Sequence, residues 1–171
     1  MKKFASLALL VAASFATLAA GIPETLKPEE APNYHRVSPQ LATAGQPSAD
    51  ILKKAKELGF ATVVNLKMPQ EGIEGDRKIL ESLGIRFVSV PITPGSFTFT
   101  DAKAVAAVLD DPKAGPVLLY CHSSNRVGGV WAVYQVMKGR TPEDALAEGK
   151  KVGLKSPQMI EAVQRVLKPN P

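Results

Sequence analysis

Cys121 is the single cysteine of the chain, and Arg126 stands five residues after it in the run Tyr120-Cys121-His122-Ser123-Ser124-Asn125-Arg126. An ionised sulfur is a nucleophile, and a guanidinium holds two oxygens of an oxyanion at once. The residues between them, His122, Ser123, Ser124 and Asn125, form a polar loop whose successive amides can face a bound anion. The apolar run Val117 to Tyr120 reads as a buried strand leading in. A helical pattern leads out, with Val127, Val130, Trp131, Tyr134 and Met137 on one side. The first amides of a helix have no intrahelical acceptor and carry partial positive charge, so they bind phosphate or sulfate, and the same field favours thiolate over thiol.

A lone cysteine after an apolar run is ordinarily a small buried hydrophobe. The arginine changes that reading. A cation at a helix N-terminus faces the unfavourable end of the dipole, and a bound anion removes the conflict. The spacing predicts an anion cradle with Cys121 as nucleophile, Arg126 as clamp and His122, Ser123, Ser124 and Asn125 as the substrate-binding loop. Gly128 and Gly129, in the first turn of the helix, predict a close approach to a neighbouring element.

The elements that must position this loop alternate along the chain. Tyr34 to Thr43 reads as a pair of edge strands around Pro39. Ser48 caps a helix with Ile51, Leu52, Ala55 and Leu58 inward, ended by Gly59. A buried strand follows over Ala61 to Leu66, a helix over Ile73 to Leu83, and a strand over Ile85 to Val90. After a loop from Ile92 to Thr100, Thr100 or Asp101 caps a helix carrying Val105, Val108 and Leu109. Thr141-Pro142-Glu143-Asp144 starts one further helix and Ser156-Pro157 the last. Strand–helix alternation predicts an α/β fold, a mainly parallel central sheet flanked by helices on both faces. In such sheets ligands bind beyond the carboxyl ends of the strands, where Cys121 falls.

Met1-Lys2-Lys3 followed by the uncharged, alanine-rich stretch Phe4 to Ala20 reads as a secretory signal peptide over residues 1–21, with cleavage before Ile22. No cysteine follows that stretch to carry a lipid anchor. The expectation is a periplasmic or secreted protein without stable membrane association after cleavage. Residues 22–33 read as an extended, proline-rich lead-in, and residues 34–171 as one domain. The 21 basic and 16 acidic residues leave +3 once Lys2 and Lys3 are removed. That charge is mild and has no basic–aromatic run, which argues against nucleic-acid binding. His35 and Asp110-Asp111 lack metal-ligand spacing, so no metal and no cofactor are expected. Nothing in the sequence specifies an oligomeric state.

Four segments carry a resemblance: Gly45-Gln46-Pro47-Ser48, Val63-Val64-Asn65-Leu66-Lys67, Gly84 to Ile92, and Tyr120 to Arg126. Together they resemble the bacterial phosphatase-like domain found beside β-lactamase-like hydrolases, a relative of the tyrosine and dual-specificity phosphatases. The resemblance spans about residues 34–140. It implies a cysteine-phosphatase-like three-layer sandwich and a phosphoric monoester hydrolase acting on a phosphorylated protein or small molecule. Cys121 would attack phosphorus, the loop amides and Arg126 would hold the equatorial oxygens, and water would cleave the phosphocysteine.

The chain departs from the tyrosine-phosphatase pattern at four places. Tyr120 precedes the cysteine where histidine is usual. Four loop residues replace five. Val127 follows the arginine where Ser or Thr is usual, and Ile92-Thr93-Pro94-Gly95 has no acid where the general acid usually sits. Asp101 is the candidate acid, with helix capping as its alternative role, while Glu71 and Asp76 read as surface carboxylates. Trp131 and Tyr134 read as core, and Lys155 is a candidate anion contact. The short loop also resembles rhodanese-type sulfurtransferases, in which the cysteine carries a persulfide; this makes a sulfur-containing substrate the rival. A non-enzymatic oxyanion-binding module is the third reading.

Overall fold

The computed structural model describes residues 21–168, so the expected signal peptide, apart from Gly21, lies outside the described residues. Five short strands form one sheet: β1 (His35–Ser38), β2 (Leu41–Ala44), β3 (Thr62–Asn65), β4 (Arg86–Ser89) and β5 (Val117–Tyr120), in the order β1-β2-β5-β3-β4. Only the β1–β2 pair is antiparallel; β2–β5, β5–β3 and β3–β4 are parallel. The helices are α1 (Ala49–Lys53), α2 (Ile73–Ser82), α3 (Phe99–Leu109), α4 (Asn125–Met137), α5 (Pro142–Lys151) and α6 (Pro157–Leu167). A short 3₁₀ turn, Pro69–Glu71, precedes α2. No helix among the described residues is long and apolar enough to cross a membrane.

Strand parity sorts the core into two layers. Val117, Leu119 and Cys121 face one side, with Val64 and Leu66, and pack under α3, α4 and α6 through Val105, Val130 and Met159. Leu118 and Tyr120 face the other, with Val63, and pack against Leu52 of α1 and Leu80 of α2. Side chains of a strand alternate between faces, so the central strand β5 feeds both layers. Its four residues are all buried, as a parallel strand covered on both sides must be.

Three expectations change. The β2 strand is not an edge; it pairs with β5 from Leu41↔Val117 to Ala44↔Tyr120. Pro39 lies in the turn before β2, so no ladder donor is missing and the strand can sit inside the sheet. Helix α1 stops at Lys53, short of Gly59, although Ser48 caps it as expected by accepting from Ile51 N–H. The 22–33 lead-in is partly core, since Ile22 and Ala31 are buried in the α1–α2 layer.

Candidate active site

The β5 strand runs straight into the cradle. Cys121 extends it by one residue, its N–H bonded to the Ala44 carbonyl at 3.4 Å. The next two carbonyls point away from the loop centre: His122 C=O accepts from Gln46 N–H at 3.0 Å and Ser123 C=O from Asn33 Nδ2 at 3.2 Å. In a planar trans peptide the N–H opposes the C=O, so the amides of Ser123 and Ser124 turn inward. Ser124 then adopts a left-handed conformation, φ 67°, and α4 begins at Asn125. Among the described residues, the N–H groups of His122, Ser123, Ser124, Asn125, Arg126 and Val127 have no acceptor; the first to find one is Gly128, bonded to Ser124 C=O at 2.9 Å. Six consecutive unpaired amides at a helix N-terminus are the donor set an oxyanion requires.

Two of the predicted loop residues serve through the backbone. Ser124 is fully buried and its hydroxyl donates to Val152 C=O at 2.6 Å. Asn125 Oδ1 accepts from Lys155 N–H and Ser156 N–H at 2.9 and 3.0 Å, and its Nδ2 donates to Ser156 Oγ at 2.8 Å. Their side chains tie α4 to the α5–α6 connection, which leaves only the His122 and Ser123 side chains at the loop without such ties. Lys155 meets the site through its main chain; its side chain is exposed. A β-carbon at Gly128 would run into Leu154 N and the Gly149 carbonyl, which is the close approach its sequence position predicts.

Arg126 crosses from α4 to the carboxyl ends of β3 and β4. Its Nη1 donates to Leu66 C=O and Ile92 C=O at 3.2 Å each. Glu71 takes both terminal nitrogens, Nη1–Oε2 and Nη2–Oε1, at 2.7 Å. Met68 N–H also donates to Glu71 Oε2 at 2.7 Å. These bonds favour the ionised carboxylate, and Glu71 is held at about 2 against an ordinary 4.5, Arg126 being the largest cause. Arg126 is raised in turn, first by Glu71 and to a smaller degree by Cys121. Glu71 lies on the surface as expected, and from there it braces the clamp.

Asp76, by contrast, is largely withdrawn from the surface. Its Oδ2 accepts from Lys67 Nζ at 2.9 Å, Tyr120 Oη at 2.8 Å and Gln46 Nε2 at 3.2 Å. The Lys67 and Asp76 side chains are only 4% and 14% exposed. Burial, then the Asp76 charge, pushes the Tyr120 phenol well above its usual range, so it stays a donor. This hub reaches the cradle twice, through Gln46, whose main chain holds His122, and through Lys67, whose Nζ lies 3.4 Å from Glu71 C=O. Sequence position gave Gln46 and Lys67 as part of a family pattern but did not reveal their partners. A lysine directly after a buried strand end was the available signal.

Asp101 is a helix cap. Thr98, not Thr100 or Asp101, is the N-cap residue; its N–H and hydroxyl donate to Asp101 Oδ2 at 2.8 and 2.7 Å while Asp101 N–H donates back to Thr98 Oγ1. This reciprocal box is what a Thr-x-x-acid pattern at a helix start forms. Trp131 is core, 6% exposed, and stacks on Tyr134 at 5.3 Å between ring centroids. No group of three or more His, Cys, Asp or Glu side chains able to hold a metal exists among the described residues.

Cys121 is 1% exposed, so the sulfur expected at the base of the cradle is closed off from bulk solvent. Its strand parity turns the side chain toward the α3–α4 layer, in one core cluster with Leu66, Ile92 and Val127.

Comparisons with known proteins bear on the family and the fold. Residues 33–138 match the family model of the beta-lactamase hydrolase-like protein, phosphatase-like domain. Beta-lactamase hydrolase-like proteins from two Xylella fastidiosa strains are 26% identical over 113 residues, 63% of this chain and 26% of theirs. The chain thus spans about a quarter of the length of these curated relatives. P. aeruginosa TpbA superposes with a TM-score of 0.66 at 24% identity, covering 88% of this chain and 89% of that one. The core catalytic domain of the PP-IP phosphatase SIW14 from S. cerevisiae gives 0.63 at 14% identity, covering 77% and 83%. These likenesses show a three-layer α/β fold. With the family model matching well over half of its residues, the chain belongs to the phosphatase-like domain family of the beta-lactamase hydrolase-like proteins.

Proposed function

We propose that the protein is a cysteine-dependent phosphatase. The carrying observation is the row of six acceptor-free amides, 122–127, between Cys121 and the Glu71-braced Arg126. The amides and guanidinium bind the three equatorial oxygens of a phosphoryl group, Cys121 attacks phosphorus as thiolate, and water hydrolyses the phosphocysteine. Two neighbours in fold support a phosphorylated substrate: TpbA is solved in complex with pTyr, and SIW14 is a PP-IP phosphatase. Purified protein should release phosphate from an aryl phosphate, and Cys121→Ser and Arg126→Ala should abolish the release. Iodoacetamide should label Cys121, and orthophosphate should slow the labelling. Activity that survives both substitutions, or a sulfur that no reagent reaches, removes the reading.

The four-residue loop favours a second reading, since a tighter ring suits a sulfur atom. Sulfurtransfer predicts a gain of one sulfur on Cys121 after incubation with thiosulfate, read by mass spectrometry of the intact protein. We infer also that the chain is exported, from the basic start and alanine-rich run of residues 1–21. The periplasmic form should begin at Ile22.

A further inference from the structure

Around the cradle, every carboxylate within the loops that close the carboxyl ends of the strands is already engaged. Glu71 receives Arg126 and Met68 N–H. Asp76 receives Lys67, Tyr120 and Gln46. Glu74 pairs with Arg77 at 3.3 Å. The loop from β4 to α3, whose Ile92 carbonyl contacts Arg126, contains no Asp, Glu or His between Val90 and Thr98. That loop is also pinned: Arg165 of α6 donates to Pro94 C=O at 3.0 Å and Phe97 C=O at 3.3 Å, and Thr93 Oγ1 meets Ser96 Oγ at 2.8 Å. Asp101, just inside α3, is held by Thr98. Glu71 is the carboxylate nearest the clamp, and at about 2 it carries no proton to give near neutral pH. His122 remains, exposed on the loop. It is rooted beside the nucleophile, whereas in-line transfer places the departing oxygen on the far side of phosphorus.

We propose that this site transfers phosphoryl groups without protonating the leaving group, and so takes aryl phosphates and phosphoanhydrides but not alkyl phosphates. The inference rests on the phosphatase reading and names its substrate class. In the first step the S–P bond forms and the P–O bond to the leaving group breaks. The electron pair departs with the oxygen as phenolate or phosphate, which takes its proton from bulk water. In the second step water attacks phosphorus, the S–P bond breaks, the thiolate returns and orthophosphate leaves, the surplus proton passing to solvent. A phenol such as tyrosine ionises near 10 and a phosphate near 6, so both leave as anions, while an alkanol is about as weak an acid as water, near 15.7. A positioned acid ordinarily supplies about 10²–10⁴-fold, and the alkyl esters depend on it most.

The test is a leaving-group series on the full mature chain: substituted aryl phosphates of graded phenol acidity, an inorganic phosphoanhydride, and the alkyl esters phosphoserine and glycerol phosphate. The expected result is a fall in kcat/KM of close to tenfold per unit of leaving-group pKa, with the anhydride turned over and the alkyl esters at least about 10⁴-fold below the best aryl ester. His122→Asn and Asp101→Asn should keep that slope, whatever they do to the absolute rate. A slope below about threefold per unit, or alkyl esters hydrolysed at rates near the aryl ones, overturns the inference while leaving a phosphatase. A slope that steepens in either variant overturns it too, by identifying that residue as the donor. No turnover of even the most activated aryl ester takes down both this inference and the phosphatase reading.

Discussion

Glu71 and Arg126, 55 residues apart in sequence, face each other through two parallel N–H···O bonds of 2.7 Å. Glu71 comes from the 3₁₀ turn before α2 and Arg126 from the first turn of α4. The pair, with the Leu66 and Ile92 carbonyls, fixes the guanidinium before any substrate arrives, so the clamp needs little reordering when an oxyanion enters.

Removing one side of this fork should loosen the clamp. A charge-assisted hydrogen bond contributes about 1.5–3 kcal/mol. Glu71→Gln should therefore lower kcat/KM for an aryl phosphate by about tenfold to a hundredfold, with the far-UV circular dichroism unchanged. A variant as active as wild type would show that Leu66 and Ile92 carbonyls suffice to hold Arg126.

The same pair sets a pH dependence. Glu71 is depressed from 4.5 to about 2, so the unfolded chain takes up this proton first as pH falls. The stabilisation is complete above about 4.5 and is lost as pH falls toward 2. Urea unfolding of wild type and Glu71→Gln should show a constant difference in midpoint between pH 7 and 5, narrowing below 4.5. A difference that widens on acidification contradicts the assigned sign.

The Asp76 hub should matter for stability first. Lys67→Met strands a buried carboxylate with only Tyr120 and Gln46 as donors, at a cost of about 3–5 kcal/mol. Tyr120→Phe removes one bond to that carboxylate and should cost about 1.5–3 kcal/mol. Thermal unfolding of the two variants checks both values and their order.

Gly153 holds Ser124 in place by being small. It has φ 121°, and a β-carbon there would lie 2.6 Å from Ser124 Cβ. Gly153→Ala should destabilise the fold by about 1–3 kcal/mol through overpacking and positive φ. Because Ser124 is the left-handed residue that turns the loop into α4, the variant should also bind orthophosphate or vanadate more weakly, read by calorimetry. Unchanged oxyanion affinity would separate the Gly153 contact from the geometry of the cradle.

Much of this was legible in the chain itself. Apolar runs marked β3 and β5 to within a residue, because burial on both faces demands continuous apolar sequence, while alternation marked the partly exposed β4. The Thr-Pro and Ser-Pro starts of α5 and α6 follow from local capping chemistry, and Thr141 and Ser156 do cap them. The placement of Cys121 at a strand end and Arg126 at a helix start needs only short-range pattern. Position β2 in the sheet was not legible, since strand order is settled by which neighbours cover Leu41 to Ala44, not by their own alternation.

What the sequence determined by itself is the local frame: strand, four-residue loop closed by an arginine, helix, and hence a row of amides with nowhere to bond within the element. What only the tertiary structure decided is how each charged side chain is employed. Glu71, Asp76 and Asp101 are alike as carboxylates near element ends, yet one braces Arg126, one gathers Lys67, Tyr120 and Gln46, and one caps α3. Electrostatic pairing acts through space between residues tens of positions apart, and only the packed sheet brings those partners within hydrogen-bond reach.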